Sequence, residues 1–153
     1  MKKNRLPASL EIVPVSTYSE EIHQALESLL LQLTSAKINF SGPDFKQMIE
    51  SENVVLLIAR EKRSGGKIIG TLSYAFYRIP TGLCVRIEDV VVDHSARGRG
   101  VGRELMQYAI RKAKAMKADK IDLTSSPERT AANRLYQSLG FVLKKTNVYR
   151  YKP

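Results

Sequence analysis

The chain has 153 residues, 43% of them apolar and 26% charged, with a formal net charge of +10. This length and mix fit one soluble domain over 1–153 that buries its own core, and exclude a low-complexity or fibrous protein. No apolar run approaches the ~20 residues of a membrane-spanning helix. Pro7 and Glu11 interrupt any signal-peptide core after Lys2, Lys3 and Arg5, and the single cysteine, Cys84, excludes an internal disulfide framework. The expected location is the cytoplasm.

In chain order, Leu10–Val15 reads as a short strand. Thr17 followed by Glu20 is a capping-box signature, and Ile22, Ala25, Leu26, Leu29, Leu30 and Leu33 then recur at helical spacing. Ser41-Gly42-Pro43-Asp44 opens a second short helix through about Glu50. Strands follow at about 53–61 and 67–77, joined by the hairpin turn Lys62-Arg63-Ser64-Gly65-Gly66. Pro80-Thr81-Gly82 turns the chain into a fourth strand at about 83–92. The longest helix carries the stripe Leu105, Met106, Ala109, Ala113 and Met116, and Ile121–Thr124 is a fifth strand. A short helix places Ala132, Leu135, Tyr136 and Leu139 on one side and stops at Gly140. Two last strands are predicted around Phe141–Lys144 and Asn147–Tyr151. The fold class is therefore α/β (α+β): a mixed, mostly antiparallel sheet of about seven strands with helices on both faces.

The charge is unevenly placed. Residues 1–96 hold 11 Lys/Arg and 11 Asp/Glu, whereas residues 97–153 hold 14 against 4. A basic half suits an anionic partner or a merely solvated face. Nucleic acid, a phosphorylated cofactor and an acidic surface all satisfy charge alone.

The segment between the fourth strand and the long helix narrows the choice. Val90-Val91-Val92-Asp93 ends a buried strand, and Arg97-Gly98-Arg99-Gly100-Val101-Gly102-Arg103 opens the helix. Glycines let several consecutive N–H groups turn toward an anion, and the helix N-terminus adds unpaired donors. A Walker loop needs a Gly-Lys-Ser/Thr ending, which is missing, and a dinucleotide fingerprint needs glycine where Arg103 stands. Arg97-x-x-Gly100-x-Gly102 instead resembles the acyl-CoA pyrophosphate loop of the GNAT superfamily of N-acetyltransferases. Arg86–Val92 is similar to that family's fourth strand, and Ala131–Phe141 to its last helix and strand. The order of elements agrees over nearly the whole chain.

The resemblance implies direct attack of an amine on the thioester of acetyl-CoA in a ternary complex, with no covalent enzyme intermediate and no metal. It implies that the backbone of Val90, Val91 and Val92 pairs with the pantetheine arm, and that an N–H there stabilises the oxyanion. Arg97, Gly98, Arg99, Gly100, Val101, Gly102 and Arg103 would hold the pyrophosphate. Tyr136 matches the general-acid tyrosine and Asn133 the asparagine that contacts the cofactor arm. Glu88 stands where several members carry a general base. Its neighbour Asp89 would face the other side of a regular strand, and a salt bridge with Arg86 is the plainer role for Glu88.

His23 and His94 are isolated in sequence, Cys84 has no histidine beside it, and nothing shows metal-ligand spacing. Two other classes compete: an acyl-CoA-binding sensor without turnover, and a basic nucleic-acid-binding module. The latter has no recognizable helix-turn-helix, zinc-finger or aromatic RNA-binding motif here. By the same resemblance the acceptor is gripped by about Leu33–Asn53 and Tyr74–Thr81, which offer Phe40, Phe45, Tyr74, Phe76, Tyr77 and Arg78. A metabolite amine, an antibiotic, a peptide N-terminus and a lysine side chain all fit, polyamines less well because acids are few. The final strands could pair with a second subunit to give a homodimer.

Overall fold

The structure is a computed structural model that describes residues 10–62 and 66–153. The basic N-terminal residues Lys2, Lys3 and Arg5, with Pro7, and the centre of the turn at Arg63–Gly65 lie outside the described residues. Strand β1 (Leu10–Pro14) leads to helices α1 (Glu20–Leu30) and α2 (Gly42–Glu50). Strands β2 (Val54–Glu61), β3 (Ile68–Ile79) and β4 (Gly82–Val92) follow, then α3 (Val101–Ala115), β5 (Lys120–Asp122) and α4 (Thr130–Ser138). The sheet order is β1-β2-β3-β4-β5, antiparallel except for the parallel pair β4/β5. No helix among the described residues is long and apolar enough to cross a membrane.

Alternation along the strands sorts the apolar residues onto two faces. Leu57, Leu72, Tyr74, Val85 and Ile87 pack with Leu105, Met106, Ala109 and Ala113 of α3. On the other face Leu56, Ile58, Ile68 and Val91 meet Leu26 and Leu29 of α1 and Phe45 of α2. The helical stripe expected from Leu105 to Ala113 is thus the buried face of α3.

Three sequence expectations need correction. The capping box of α1 is not formed: Ser19 is the N-cap and makes no side-chain cap bond. The reciprocal box sits on α2, where Ser41 Oγ accepts from the amide of Asp44 and the Asp44 carboxylate accepts from the amide of Ser41. The sheet has five strands among the described residues, not seven. Past Gly140 the expected strands Phe141–Lys144 and Asn147–Tyr151 join no ladder, and the backbone bonds formed there, Phe141 N to Tyr136 O and Thr146 N to Lys144 O, are local.

The face between α1, α2 and the sheet centres on Phe45, which is 0% exposed and meets Tyr18, His23 and Phe40 ring to ring. Phe45→Ala empties that position, so we expect a loss of about 3–5 kcal/mol in unfolding free energy by denaturant titration. A loss under about 1 kcal/mol would contradict the packing described.

Candidate active site

Two irregularities of β4 create the site. Thr71 pairs with Val91 and Ser73 with Glu88, so β4 spends one residue more than β3 over this stretch. That is a β-bulge, with Asp89 in the left-handed region at φ 50°. The sequence expectation that Asp89 simply faces away from Glu88 on a regular strand is therefore corrected. Instead the bulge resets the alternation: Ile87, Val90 and Val92 pack on the α3 side, while Val91 joins the α1/α2 side.

The second irregularity is the early departure of β5. It pairs with β4 only at Cys84–Lys120, Val85–Ile121 and Arg86–Asp122. From the bulge to Val92 the β4 backbone has β3 on one side and no strand on the other. An open V results, with backbone donors and acceptors along one wall. Only the main chain of Val90–Val92 is presented there, since these side chains are engaged in the two cores.

At the tip of the V the chain enters α3. The Asp93 carboxylate accepts from the Ser95 amide at 2.9 Å, and a short 3₁₀ turn, His94–Ala96, follows. Gly98 and Gly100 both have positive φ, 75° and 82°, and a Cβ on either would meet nothing within 4 Å. Backbone conformation, not crowding, requires glycine at these two places. Gly100 caps α3, and the first helical bond runs from Glu104 N to Gly100 O. The amides of Val101, Gly102 and Arg103 thus have no intrahelical acceptor and lie at the positive end of the helix dipole. Gly102 differs: its Cβ would stand 3.3 Å from Leu135 and 3.5 Å from Val92, so α3, α4 and β4 meet closely here.

The three arginines around the loop are each tethered. Arg97 Nε donates to the Val92 carbonyl at 3.2 Å, Arg99 pairs with Glu61 at 2.6 Å, and Arg103 donates to Ser138 Oγ at 2.8 Å. Arg103 thereby ties α3 to α4.

Helix α4 meets the start of α3 through Leu135 at Gly102 and Ser138 at Arg103. Tyr136 is half-buried, edge-on to Phe141 with ring centroids 6.2 Å apart. Burial raises its pKa, against a smaller lowering by Arg129, so the phenol keeps its proton. Asn133 Nδ2 donates to the carbonyls of Ser126 and Pro127, at 3.0 and 3.4 Å, which commits its nitrogen to the β5–α4 loop. Glu88 forms the expected pair with Arg86, 2.6 Å apart, and Arg86 also donates to Thr124 Oγ1 at 3.2 Å. Asp89 has its pKa raised, first by burial of the carboxyl and then by the charge of Glu88.

Sequence reasoning missed two residues. Gln32, just after α1, donates to Asp93 Oδ2 at 3.3 Å and accepts from the amide of His94 at 3.0 Å, so it fastens α1 to the glycine loop. Ser125 follows β5, and its buried hydroxyl has no hydrogen-bond partner among the described residues. Neither has a sequence signal, because both roles depend on contacts that the fold brings together. The aromatic acceptor lining also needs correction: Phe45 and Tyr74 are core residues, and Phe40 packs on His23 and Phe45. Tyr77 and Arg78 are exposed. His23 is not isolated: it is buried and donates from Nε2 to the Phe40 carbonyl at 2.8 Å.

Comparison with known proteins gives this arrangement a family. The model of the acetyltransferase (GNAT) family matches residues 22–141, and the chain belongs to that family, which uses acetyl-CoA. A 65-residue stretch is 35% identical to glucosamine 6-phosphate N-acetyltransferase 1 of rice, covering 42% of this chain and 38% of that protein. The chain thus spans well under half the length of this curated relative. Among solved structures, an acetyltransferase of Trypanosoma brucei superposes with TM-score 0.75 at 26% identity, over 94% of this chain and 99% of that one. Glucosamine-6-phosphate N-acetyltransferase of Arabidopsis thaliana shares the fold with TM-score 0.77 at 24% identity, over 94% and 98%.

The loop's polar network makes a pH prediction. Asp93 is lowered from 3.8 to about 2, chiefly by the hydrogen bonds of Ser95. A carboxylate lowered by folding contributes stability above its unfolded pKa, and that contribution disappears as pH falls through the folded value. Asp93→Asn should therefore lower the melting temperature above pH 4, and the difference from wild type should shrink between pH 4 and about 2. A constant difference across that window would contradict the assignment.

Proposed function

We propose that the protein transfers the acetyl group of acetyl-CoA to a primary amine. The observation that carries this reading is the open β4 backbone at Val90–Val92 leading directly into the left-handed glycines and free amides of the α3 N-terminus. A strip of unpaired strand backbone suits the amide-bearing pantetheine arm, and donors at a helix start suit its pyrophosphate. The donor set fits the cofactor. When bound, acetyl-CoA supplies the activated carbonyl.

The remaining steps belong to residues of this chain. Val90–Val92 would orient the arm, and one of their amides would polarise the acetyl carbonyl. Gly98, Arg99, Gly100, Val101, Gly102 and Arg103, with Arg97 beside them, would hold the pyrophosphate. Asn133 has its Oδ1 left for the arm. Tyr136, kept protonated by burial, would donate to the departing sulfur.

Glu88 and Asp89 divide the work on the amine in this proposal. Glu88, paired with Arg86, would hold the ammonium group of the amine. Asp89, with a raised pKa, is the better base. An amino sugar is the favoured acceptor class, because the rice and Arabidopsis relatives are named for glucosamine 6-phosphate. The protein would act in the cytoplasm, with a second copy of itself and not nucleic acid as its macromolecular partner.

Saturating acetyl-CoA at about 100 times its Kd should stabilise the fold by about 2.7 kcal/mol, raising the melting temperature by roughly 5–10 °C. Gly100→Val should abolish the shift. No shift with the wild type would defeat the proposal.

In a thiol-release assay with glucosamine 6-phosphate or another amine, Tyr136→Phe should lower kcat by about 10²-fold or more. Asp89→Asn should do likewise and remove the acid limb of the kcat/KM profile, which burial and Glu88 shift upward from the ordinary aspartate value. Glu88→Gln should mainly raise KM for the amine and keep that limb. The reverse pattern would return the base to Glu88.

A further inference from the structure

Helix α4 begins against the usual rule. Its N-cap is Arg129, which makes no side-chain cap bond, although this position favours serine, threonine, asparagine or aspartate. A cation there also stands at the positive end of the helix dipole. A residue that breaks a local rule in this way points to a role outside its own helix.

The guanidinium shows where that role lies. Arg129 Nη2 donates to the Leu33 carbonyl at 2.7 Å. Leu33 packs on the α1/α2 core, whereas α4 packs through Leu135, Tyr136 and Leu139 on the α3 core. The bond therefore joins the two faces of the sheet. It does so beside the β4 gap, because Gln32, next to Leu33, is fixed to Asp93 and to the amide of His94 just past Val92.

Asn133 and Tyr136 follow Arg129 on one face of α4. The charge of Arg129 reaches Tyr136, where it opposes the effect of burial. With α4 tied to α3 at Gly102 and Arg103, contacts run from the tip of β4 through Gln32, Leu33 and Arg129 to α4, and back through α3. The Arg129–Leu33 link in this circuit is a solvent-exposed hydrogen bond, a kind of contact that opens readily.

We propose that Arg129 is a positioning residue for the donor: its bond to Leu33 is a strap across the open side of the β4 gap, opening to admit the arm and closing again over it. The proposal rests on the acetyl-CoA reading of that gap. A strap differs from an ordinary contact in its kinetics. A contact residue holds the ligand and slows release alone. A strap that closes over both the empty and the filled gap slows entry and release alike, and leaves Kd nearly unchanged.

The test is stopped-flow fluorescence with acetyl-CoA labelled on its ribose, first on association and then on release into excess unlabelled acetyl-CoA. One charge-assisted hydrogen bond implies a strap open about a tenth of the time, so Arg129→Ser should speed both phases by about tenfold. Serine suits an N-cap, so the free variant should melt no lower than the wild type. Should it misfold, Arg129→Asn, also a favoured cap and also too short to reach Leu33, replaces it. Arg129→Lys, whose ammonium can still donate to that carbonyl, should fall between the two. Arg134→Ser removes an equal charge from an exposed position of α4 and should change neither rate. Faster release with unchanged entry would mark a contact and overturn the strap, as would a lower melting temperature with both rates unchanged. Absence of binding by the wild type defeats the donor reading itself, whereas binding at rates indifferent to Arg129 defeats the strap alone.

Discussion

The site depends on β4 failing to remain an ordinary central strand. Two partners would have satisfied every donor and acceptor along it, and nothing could then bind to its main chain. The bulge at Asp89 and Val90 and the departure of β5 after Asp122 leave Val90–Val92 paired on one side alone. Unpaired strand backbone is costly when buried, so the gap must meet water or a ligand that offers the missing hydrogen bonds. The other features of the site are arranged around that gap.

The loop at its tip is fixed by several weak constraints acting together. Left-handed glycines shape it, Asp93 and Ser95 hold its start, Gln32 fastens it to α1, and Arg99 fastens it to Glu61 at the end of β2. Each exposed tether contributes little alone. Jointly they hold the free amides of the α3 N-terminus in place, which would lower the ordering cost of binding the proposed pyrophosphate. The tight contact at Gly102 adds α4 to the same unit, through Leu135. The glycine loop and the helix carrying Tyr136 are thus mechanically joined.

Much of this was legible in the sequence, for identifiable reasons. The strands of β1–β4 and the stripe of α3 follow from apolar periodicity, and the glycine loop from residue types with few other uses. The bulge was not legible, because Glu88-Asp89-Val90 reads equally well as a regular strand until pairing with β3 shows one residue too many. Thr17 and Glu20 had the right spacing for a cap, but the helix starts at Glu20 with Ser19 before it. Phe45 and Tyr74 looked like site aromatics because exposure is a tertiary property that composition does not carry. The last strands, expected at Phe141–Lys144 and Asn147–Tyr151, do not form, because β-branched and aromatic composition shows that a segment can make a strand but not whether it finds a pairing partner.

The most direct test of the central claim is amide hydrogen exchange across residues 86–104, with and without acetyl-CoA. Backbone binding predicts slowed exchange at Val90 and Val92, whose amides face away from β3, and from Gly98 to Arg103. Protection elsewhere with these amides unchanged would contradict the claim that the β4 gap and the glycine loop hold the donor.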